Sequence, residues 1–379
     1  MLDNLFVRNK ASTYSDETID ILRLIRSENV GSRTYTLLIK KFGSARNALE
    51  NIGDFSLRGG RSKPIKIFPK SSAEQELEKL RKNGAHLITH KDYNYSQLLA
   101  HIPDFPPVIS YKGNISLLNS QKIIAVVGAR NSSLNSRSFA YKLSKDLVDA
   151  GYVTASGLAR GIDTEVHKAS GAKTIAVIAG GIDHTYPPEN KKLQEYIEKE
   201  GLLLAELAIG SKPLSQHFPQ RNRIISGLAL ATIVIEASLK SGSLITARFA
   251  LEQGREVFAV PGFPLDPRCM GSNKLIKDGA QLLESSEDVI ANVPLYKKSL
   301  EESKTYSNNL KAPAIDDAAN IASSDRENVR TLLSSMPVTY EMIADETKLS
   351  LPIIYTICLE LELAGKIVRY PDNKIALLY

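Results

Sequence analysis

Cysteine is scarce in this chain: two residues in 379, Cys269 and Cys358, stand far apart and form no CxxC. Such usage argues against a disulfide framework or a thiolate zinc site, fits a reducing compartment, and leaves redox chemistry without a dithiol. Long apolar runs are missing as well. No uncharged stretch approaches the roughly 20 residues that a membrane-spanning helix needs, so no membrane location is expected. The opening MLDNLFVRNKASTYSDE carries charges every few positions and no apolar core ahead of a small-residue cleavage site. Export is therefore not expected, and the chain reads as cytoplasmic. The histidines show no zincin spacing and no GxxxxGK[ST] occurs, so neither a metal, a cofactor nor nucleoside-triphosphate hydrolysis is expected.

What remains is a globular composition, 43% hydrophobic and 24% charged, on a chain long enough for two or three domains. The net charge of +6 is modest, so its clustering matters more than its total. Between Phe55 and Ser71 the bases Arg58, Arg61, Lys63, Lys66 and Lys70 occur without an acid. That run suits a phosphate-facing loop or a solvated linker, and charge alone favours the linker.

Apolar residues at helical spacing, Ile19, Leu22, Ile25, Leu37, Leu38 and Phe42, mark residues 16–80 as a small helical domain. Within it NVGSRTYTLLIKKFGS has the look of a helix-hairpin-helix or SAM-like unit, whose glycine turn brings backbone N–H groups toward phosphate, although a plain interhelical turn accounts for it too. Residues 81–295 form the next domain. In it IIAVV (123–127), YVTA (152–155), TIAVIA (174–179), LLLAE (202–206), TIVIE (232–236) and EVFAV (256–260) are near-continuous apolar segments alternating with amphipathic ones. This is the pattern of an α/β, Rossmann-like parallel sheet of about six strands with helices on both faces.

Residues 296–325 turn polar and read as a linker. Residues 326–379, with helices expected over 328–336, 340–347 and 351–363 ahead of KIVRYPDNKIALLY, read as a winged helix. From Asp325 onward acids outnumber bases, and the candidate recognition helix LPIIYTICLELEL carries no base. Its surface suits a protein partner or intramolecular docking better than DNA, with Lys366, Arg369 and Lys374 leaving a weak DNA contact in the wing.

The chemistry gathers where the strands end. The first runs into Gly128-Ala129-Arg130-Asn131-Ser132, the second into Ser156-Gly157-Leu158-Ala159-Arg160, and the third into Gly180-Gly181-Ile182-Asp183, with Tyr186 and Lys191 beyond. Phe218-Pro219-Gln220-Arg221-Asn222-Arg223 follows the fourth and Ser241-Gly242-Ser243 the fifth. Open α/β sheets bind ligands outside their carboxyl strand ends, so these loops build one basic, phosphate-compatible crevice. Glycine, serine and arginine donors hold nucleic acid without reading its sequence, and Phe218 and Tyr186 either stack on unpaired bases or pack as anchors. GARNSS departs from GxGxxG and no acid ends the second strand, which disfavours NAD. Asp163 and His167, four apart, offer a metal or proton pair, but Asp163 reads better as a helix N-cap. Asp183 and Glu189 offer an acid/base pair, yet each suits a turn or helix start.

In order, GARNSS, SGLARGID, GGIDHTYPPEN, FPQRNRIISGL, EASLKSGSLITA, GREVFAVPG and GSNKLIKDGA closely resemble the DNA-processing protein A (DprA/Smf) family across the whole sheet domain. The resemblance implies a non-enzymatic protein that binds single-stranded DNA, forms a homodimer through the sheet domain over about residues 230–280, and loads a RecA-type recombinase during natural transformation. It places the positive pocket at Arg130 and Lys191, beside the Ser156-Gly157 and Ser241-Gly242-Ser243 loops. The enzymatic alternative is a nucleotide phosphoribohydrolase of the lysine-decarboxylase-like Rossmann class. Its PGGxGTxxE is absent here, because Ala179 precedes Gly180-Gly181 and Ile182-Asp183 follow.

Overall fold

The computed structural model describes residues 14–293, 321–370 and 374–378. They gather into two compact units, one drawn from residues 75–307 and the other from both flanking stretches, 1–74 and 308–379.

The terminal unit begins with α1 (Asp16–Arg26), α2 (Ser32–Phe42) and α3 (Ala45–Arg58). Ser15 and Ser44 start α1 and α3 by accepting the N–H groups of Thr18 and Asn47, which satisfies donors that a helix leaves orphaned. Leu22, Leu24, Leu38 and Ile52 are fully buried. The basic run after α3 folds back along α1: Phe68 N–H donates to Ser27 Oγ at 3.0 Å, while Arg61 pairs with Glu28 and Lys70 with Asp16, both at 3.1 Å. Two of its five bases are thus already paired within the unit. Helix α4 (Lys70–Lys82) follows.

The second unit is a nine-stranded sheet, in spatial order β1-β2-β6-β5-β4-β3-β7-β8-β9. Its strands are β1 (His86–Thr89), β2 (Val108–Gly113), β3 (Ile123–Gly128), β4 (Val153–Ser156), β5 (Thr174–Ile178), β6 (Leu202–Ala205), β7 (Ala231–Ile235), β8 (Glu256–Ala259) and β9 (Gln281–Leu282). Helices α5 (Gln97–Ala100), α6 (Leu134–Asp149), α7 (Ile162–Ser170), α8 (Lys191–Glu200), α9 (His217–Leu228), α10 (Ser243–Glu252), α11 (Met270–Lys277) and α12 (Ser286–Asn292) connect and flank them. Strands β3 to β9 pair in parallel, and β1 and β2 add an antiparallel edge. The six strands expected from the sequence are β3 to β8; β1, β2 and the two-residue β9 extend that sheet. Alternation along β3 shows both faces covered: Ile123, Ala125 and Val127 pack with Ile225 and Ala247, Ile124 and Val126 with Leu143 and Val166.

Strand order reverses between β3 and β7, because β4 to β6 lie on one side of β3 and β7 to β9 on the other. In such a sheet a crevice opens outside the carboxyl ends of that pair. Gly128 ends β3 opposite Ile235 of β7.

The terminal unit closes with α13 (Ser323–Leu332), β10 (Val338–Thr339), α14 (Tyr340–Thr347), α15 (Leu351–Leu363), β11 (Ile367–Arg369) and β12 (Lys374–Leu377). The small sheet β10-β12-β11 and the three helices make the expected winged helix around Val329, Tyr340, Ile357, Cys358 and Ile375. The linker expected over 296–325 lies outside the described residues up to 320, and its last positions, Ser323–Asp325, already open α13. That helix begins ahead of the expected Asn328 because Arg326 reaches Glu360 through two hydrogen bonds of 2.8 and 3.0 Å.

A β-carbon on Gly128 would stand 2.0 Å from the Ile235 carbonyl oxygen and 2.6 Å from Ile162 Cγ1. Gly128→Ala must push β3 from β7 at the reversal point and is expected to lower stability by about 2 kcal/mol, in the range of overpacked cores. Urea unfolding with an unchanged slope and a lowered midpoint is the expected result. An unchanged midpoint would contradict this packing.

Candidate functional site

A cavity of about 600 Å³ lies at the carboxyl ends of β3 and β7. Gly128, Ala129, Arg130 and Asn131 form one wall, Phe218, Arg221, Asn222 and Ile225 of α9 a second, and Ser241, Gly242, Ser243, Ile245 and Thr246 at the start of α10 a third. Val127, Ile225 and Ile245 give it an apolar floor. Helix α10, with Gly242 at its N-cap, closes its own first turn: Ser243 N–H donates to Ser241 Oγ at 3.4 Å, Leu244 N–H to the Ser241 carbonyl at 3.2 Å and Ile245 N–H to the Gly242 carbonyl at 3.2 Å. Beside them the Ser241 and Ser243 hydroxyls lie 2.7 Å apart, and Asn222 Nδ2 donates to the Gly242 carbonyl.

The N-terminus of α6 is closed. This is where sheets of this type receive a dinucleotide pyrophosphate. Here Ser133 N–H donates to both Glu236 carboxylate oxygens at 3.1 Å, and Ser133 Oγ donates to Oε2 at 2.7 Å. A buried carboxylate occupies the anion position, so the first strand-end turn is barred to a second anion by like charge. The obstacle to NAD is thus a side chain as well as a missing motif.

At the cavity's mouth the Arg130 guanidinium lies 4.8 Å over the Phe218 ring. Phe218 meets Tyr186 edge-on, with 5.3 Å between centroids. Tyr186 is 44% exposed, so this pair is a surface platform and not core.

Below the mouth a polar network fixes the 157–161 loop. Buried Arg221 donates to the carbonyls of Gly157 and Val177. The Asp163 carboxylate accepts the N–H groups of Gly157 at 3.1 Å and Ala159 at 3.2 Å. The Leu158 N–H donates to His167 Nε2 at 3.3 Å, which puts the ring proton on Nδ1, 2.8 Å from Thr174 Oγ1. Asn190 Nδ2 donates to the carbonyls of Leu158 and Ala159. These bonds hold Leu158 at φ +55°, a conformation that a leucine adopts only when its surroundings over-determine it. Burial, then the charge of Arg221, push the His167 pKa down to about 3, so the ring is neutral. Burial lowers Arg221 to about 10, against the pull of Asp163, and leaves it cationic at neutral pH. Burial also raises Asp163, opposed by Arg221 and the loop N–H groups.

Asp163 is therefore not an N-cap, a position held by Gly161; its carboxylate turns back to brace the loop. Asp183 accepts the Gly210 N–H at 2.8 Å and Glu189 pairs with Arg160, so the two acids serve separate partners. Among the described residues no group of three His, Cys, Asp or Glu side chains gathers to hold a metal ion.

Of the site residues expected from the sequence, Gly128, Arg130, Phe218, Arg221, Asn222, Ser241, Gly242 and Ser243 line the cavity. Gly157 and Gly180 line a small recess behind Phe218 and Arg221. The others lie outside both. Ser132 accepts from Arg137 Nε, buried Ser156 donates to the Val126 carbonyl, and Gly181 N–H donates to the Ser211 carbonyl. Arg223 is buried on another side of α9, paired with Glu206 at 2.5 Å and Asp104 at 3.4 Å. Arg160 is paired with Glu189, and Lys191 stands exposed at the first residue of α8. Asn131 of the first strand-end loop lines the cavity as well, and so do Ser215, Ser238 and Arg268, which the sequence reading does not pick out. Arg268 follows the sixth expected strand, so the rule that found the other loops, applied once more, would have reached it.

Three sequence families match along the chain. DNA recombination-mediator protein A matches residues 86–294, the DprA-like N-terminal HHH domain 15–78, and the DprA winged helix domain 312–373. The DNA processing protein DprA of Bacillus subtilis (strain 168) is 44% identical over 221 residues, 58% of this chain and 74% of that protein. The X-ray structure of DNA processing protein A from Streptococcus pneumoniae superposes with a TM-score of 0.61 and 36% identity, covering 74% of this chain and 99% of its own. A structure of DNA processing protein A from Helicobacter pylori, described for its single-stranded DNA binding mode, gives a TM-score of 0.51 and 28% identity over 54% of this chain and 94% of its own. With matches to the helical hairpins, the sheet unit and the winged helix in that order, the chain belongs to the DNA recombination-mediator protein A (DprA/Smf) family.

Proposed function

We propose that this protein binds single-stranded DNA at the β3–β7 cavity, protects it, and passes it to a RecA-type recombinase during recombination of incoming DNA. The observation that carries the reading is the Arg130–Phe218–Tyr186 platform at the cavity mouth. Aromatic faces stack on bases, and only unpaired bases present a free face, so the platform favours single strands over duplex. Around it the Ser241 and Ser243 hydroxyls, Arg130 and Asn131 offer phosphate donors that do not discriminate between bases. The related Helicobacter pylori protein, described for binding single-stranded DNA, supports the same class of ligand.

The protein works as a carrier and not as an enzyme. A general acid or base needs a titratable group free to reach the substrate, whereas Asp163 and His167 are tied to the loop backbone. Its place is the cytoplasm, where a recombinase meets incoming strands. Two copies act on one strand, because tethering makes the second contact effectively intramolecular. For such a dimer Leu251 at 60% exposed, Phe263 at 67% and Leu265 at 82% supply apolar surface, while Val257 and Phe258 belong to the sheet core.

Fluorescence anisotropy with labelled oligonucleotides is expected to show tighter binding of single strands than of duplex, with affinity falling as salt rises. Phe218→Ala is expected to lose about 1–3 kcal/mol of stacking, and Arg130→Ala to flatten the salt dependence by about one unit of slope. Equal affinity for duplex, indifference to salt, or wild-type binding by the folded double variant would sink the site.

Light scattering at about 20 µM is expected to report a dimer, since an interface of ordinary size is populated at that concentration. Leu251→Glu with Leu265→Glu is expected to give a folded monomer that binds a long oligonucleotide more weakly. A wild-type monomer, free and with DNA, would refute dimerisation.

A further inference from the structure

Not one residue of α15 is exposed. A helix apolar all round belongs inside a structure, yet the recognition helix of a winged helix ordinarily keeps one face free for the DNA major groove. One side of α15, Ile354, Ile357, Cys358 and Leu361, packs into the winged-helix core. The other side, Thr356, Leu359, Glu360 and Leu363, is buried to within 1%, and the elements in contact with α15 beyond its own domain are α2 and α3.

The fit is close and polar as well as apolar. At Gly59, where α3 ends, a β-carbon would stand 2.0 Å from the Glu360 carbonyl oxygen and 2.8 Å from Ala364 Cβ. Asn29 Nδ2 donates to the Leu363 carbonyl at 3.1 Å, which satisfies an orphan acceptor at the end of α15. Thr34 Oγ1 donates to Glu362 at 3.1 Å, and Arg33 donates to the Tyr370 carbonyl at 2.9 Å. The wing base Arg369, expected from the sequence to be open to DNA, has a side chain only 7% exposed and is bound to Glu362 and the Tyr340 hydroxyl. Lys366 Nζ lies against Gly60, where a β-carbon would come within 2.3 Å of it.

We propose that α15 is a protein-docking element whose partner is the α2–α3 hairpin of the same chain, and that nucleic acid is excluded from it. The surface that reads DNA in other winged helices here joins two domains from opposite ends of the sequence into one cooperative unit. This helix carries no base to receive a phosphate, and its Glu360 and Glu362 carboxylates already hold Arg326 and Arg369.

Amide hydrogen exchange on the full-length protein tests this. Gly59→Val is expected to speed exchange by about tenfold or more in residues 29–60 and 351–369 together, leaving 123–282 at wild-type rates. Glu362→Gln, which keeps the packing, is expected to give the same paired rise at smaller size, and it decides the matter if Gly59→Val does not fold. A saturating thymidine oligonucleotide is expected to slow the cavity loops, if the proposed strand site is right, and to leave α15 at its free rate. A rise confined to one of the two segments, or slowing of 351–363 by the oligonucleotide, would overturn the proposal; absence of slowing in the cavity loops alone would count against the strand site only.

Discussion

A guanidinium withdrawn from water must find acceptors and an opposite charge, and Arg221 finds them at the carboxyl ends of β4 and β5. Its bonds to the Gly157 and Val177 carbonyls, with Asp163 nearby as counter-charge, fix how α9 is rotated against the sheet. Phe218, Arg221, Asn222 and Ile225 stand at i, i+3, i+4 and i+7, so once Arg221 is set the other three must face the cavity. Phe218 is thereby presented to Arg130 and Tyr186, and Asn222 to the start of α10. The same guanidinium helps keep His167 neutral, which lets its ring accept the Leu158 N–H and hold the loop in its left-handed turn.

Two helix starts at the strand ends show how a common sheet topology is turned from one ligand class toward another. At α6 a buried glutamate has taken the anion position, whereas at α10 the turn that meets the first N–H groups is built from Ser241 and Gly242, and the cavity is lined there by serine hydroxyls instead of a carboxylate. A dinucleotide thereby loses its anchoring point. The dipole of α10 favours any anion there, and serine and asparagine neighbours add donors without adding charge.

Much of this was legible in the chain because strands covered on both faces read as blocks of valine, isoleucine, leucine and alanine, as β3 and β7 do. The antiparallel β1 and β2, by contrast, leave polar residues among their apolar ones, and β9 is only two residues long, too short for any period. Loops at the strand ends advertised themselves through glycine and serine. Charge type was the weaker guide. Arg221 and Arg223 are two apart on α9, about 200° around the helix, so one meets the cavity and the other meets Asp104 and Glu206. Likewise Asp183 pins the chain to Gly210 and Arg160 bonds Glu189, arrangements that depend on loop paths with no periodic signature. The all-round apolarity of α15 was visible, but its partner, 334 positions away at Asn29, was not.

That separation bears on how the chain comes to be folded. Closing a contact across hundreds of residues adds little entropy beyond that of a shorter loop, since the cost grows only with the logarithm of length. Order of appearance is another matter. On the ribosome α1 to α3 emerge first and the whole sheet follows, and domains fold as units while synthesis continues. The face of the hairpin that will receive Leu359 and Leu363 therefore waits uncovered through the synthesis of the entire sheet, and the terminal unit is completed only after that sheet has been made.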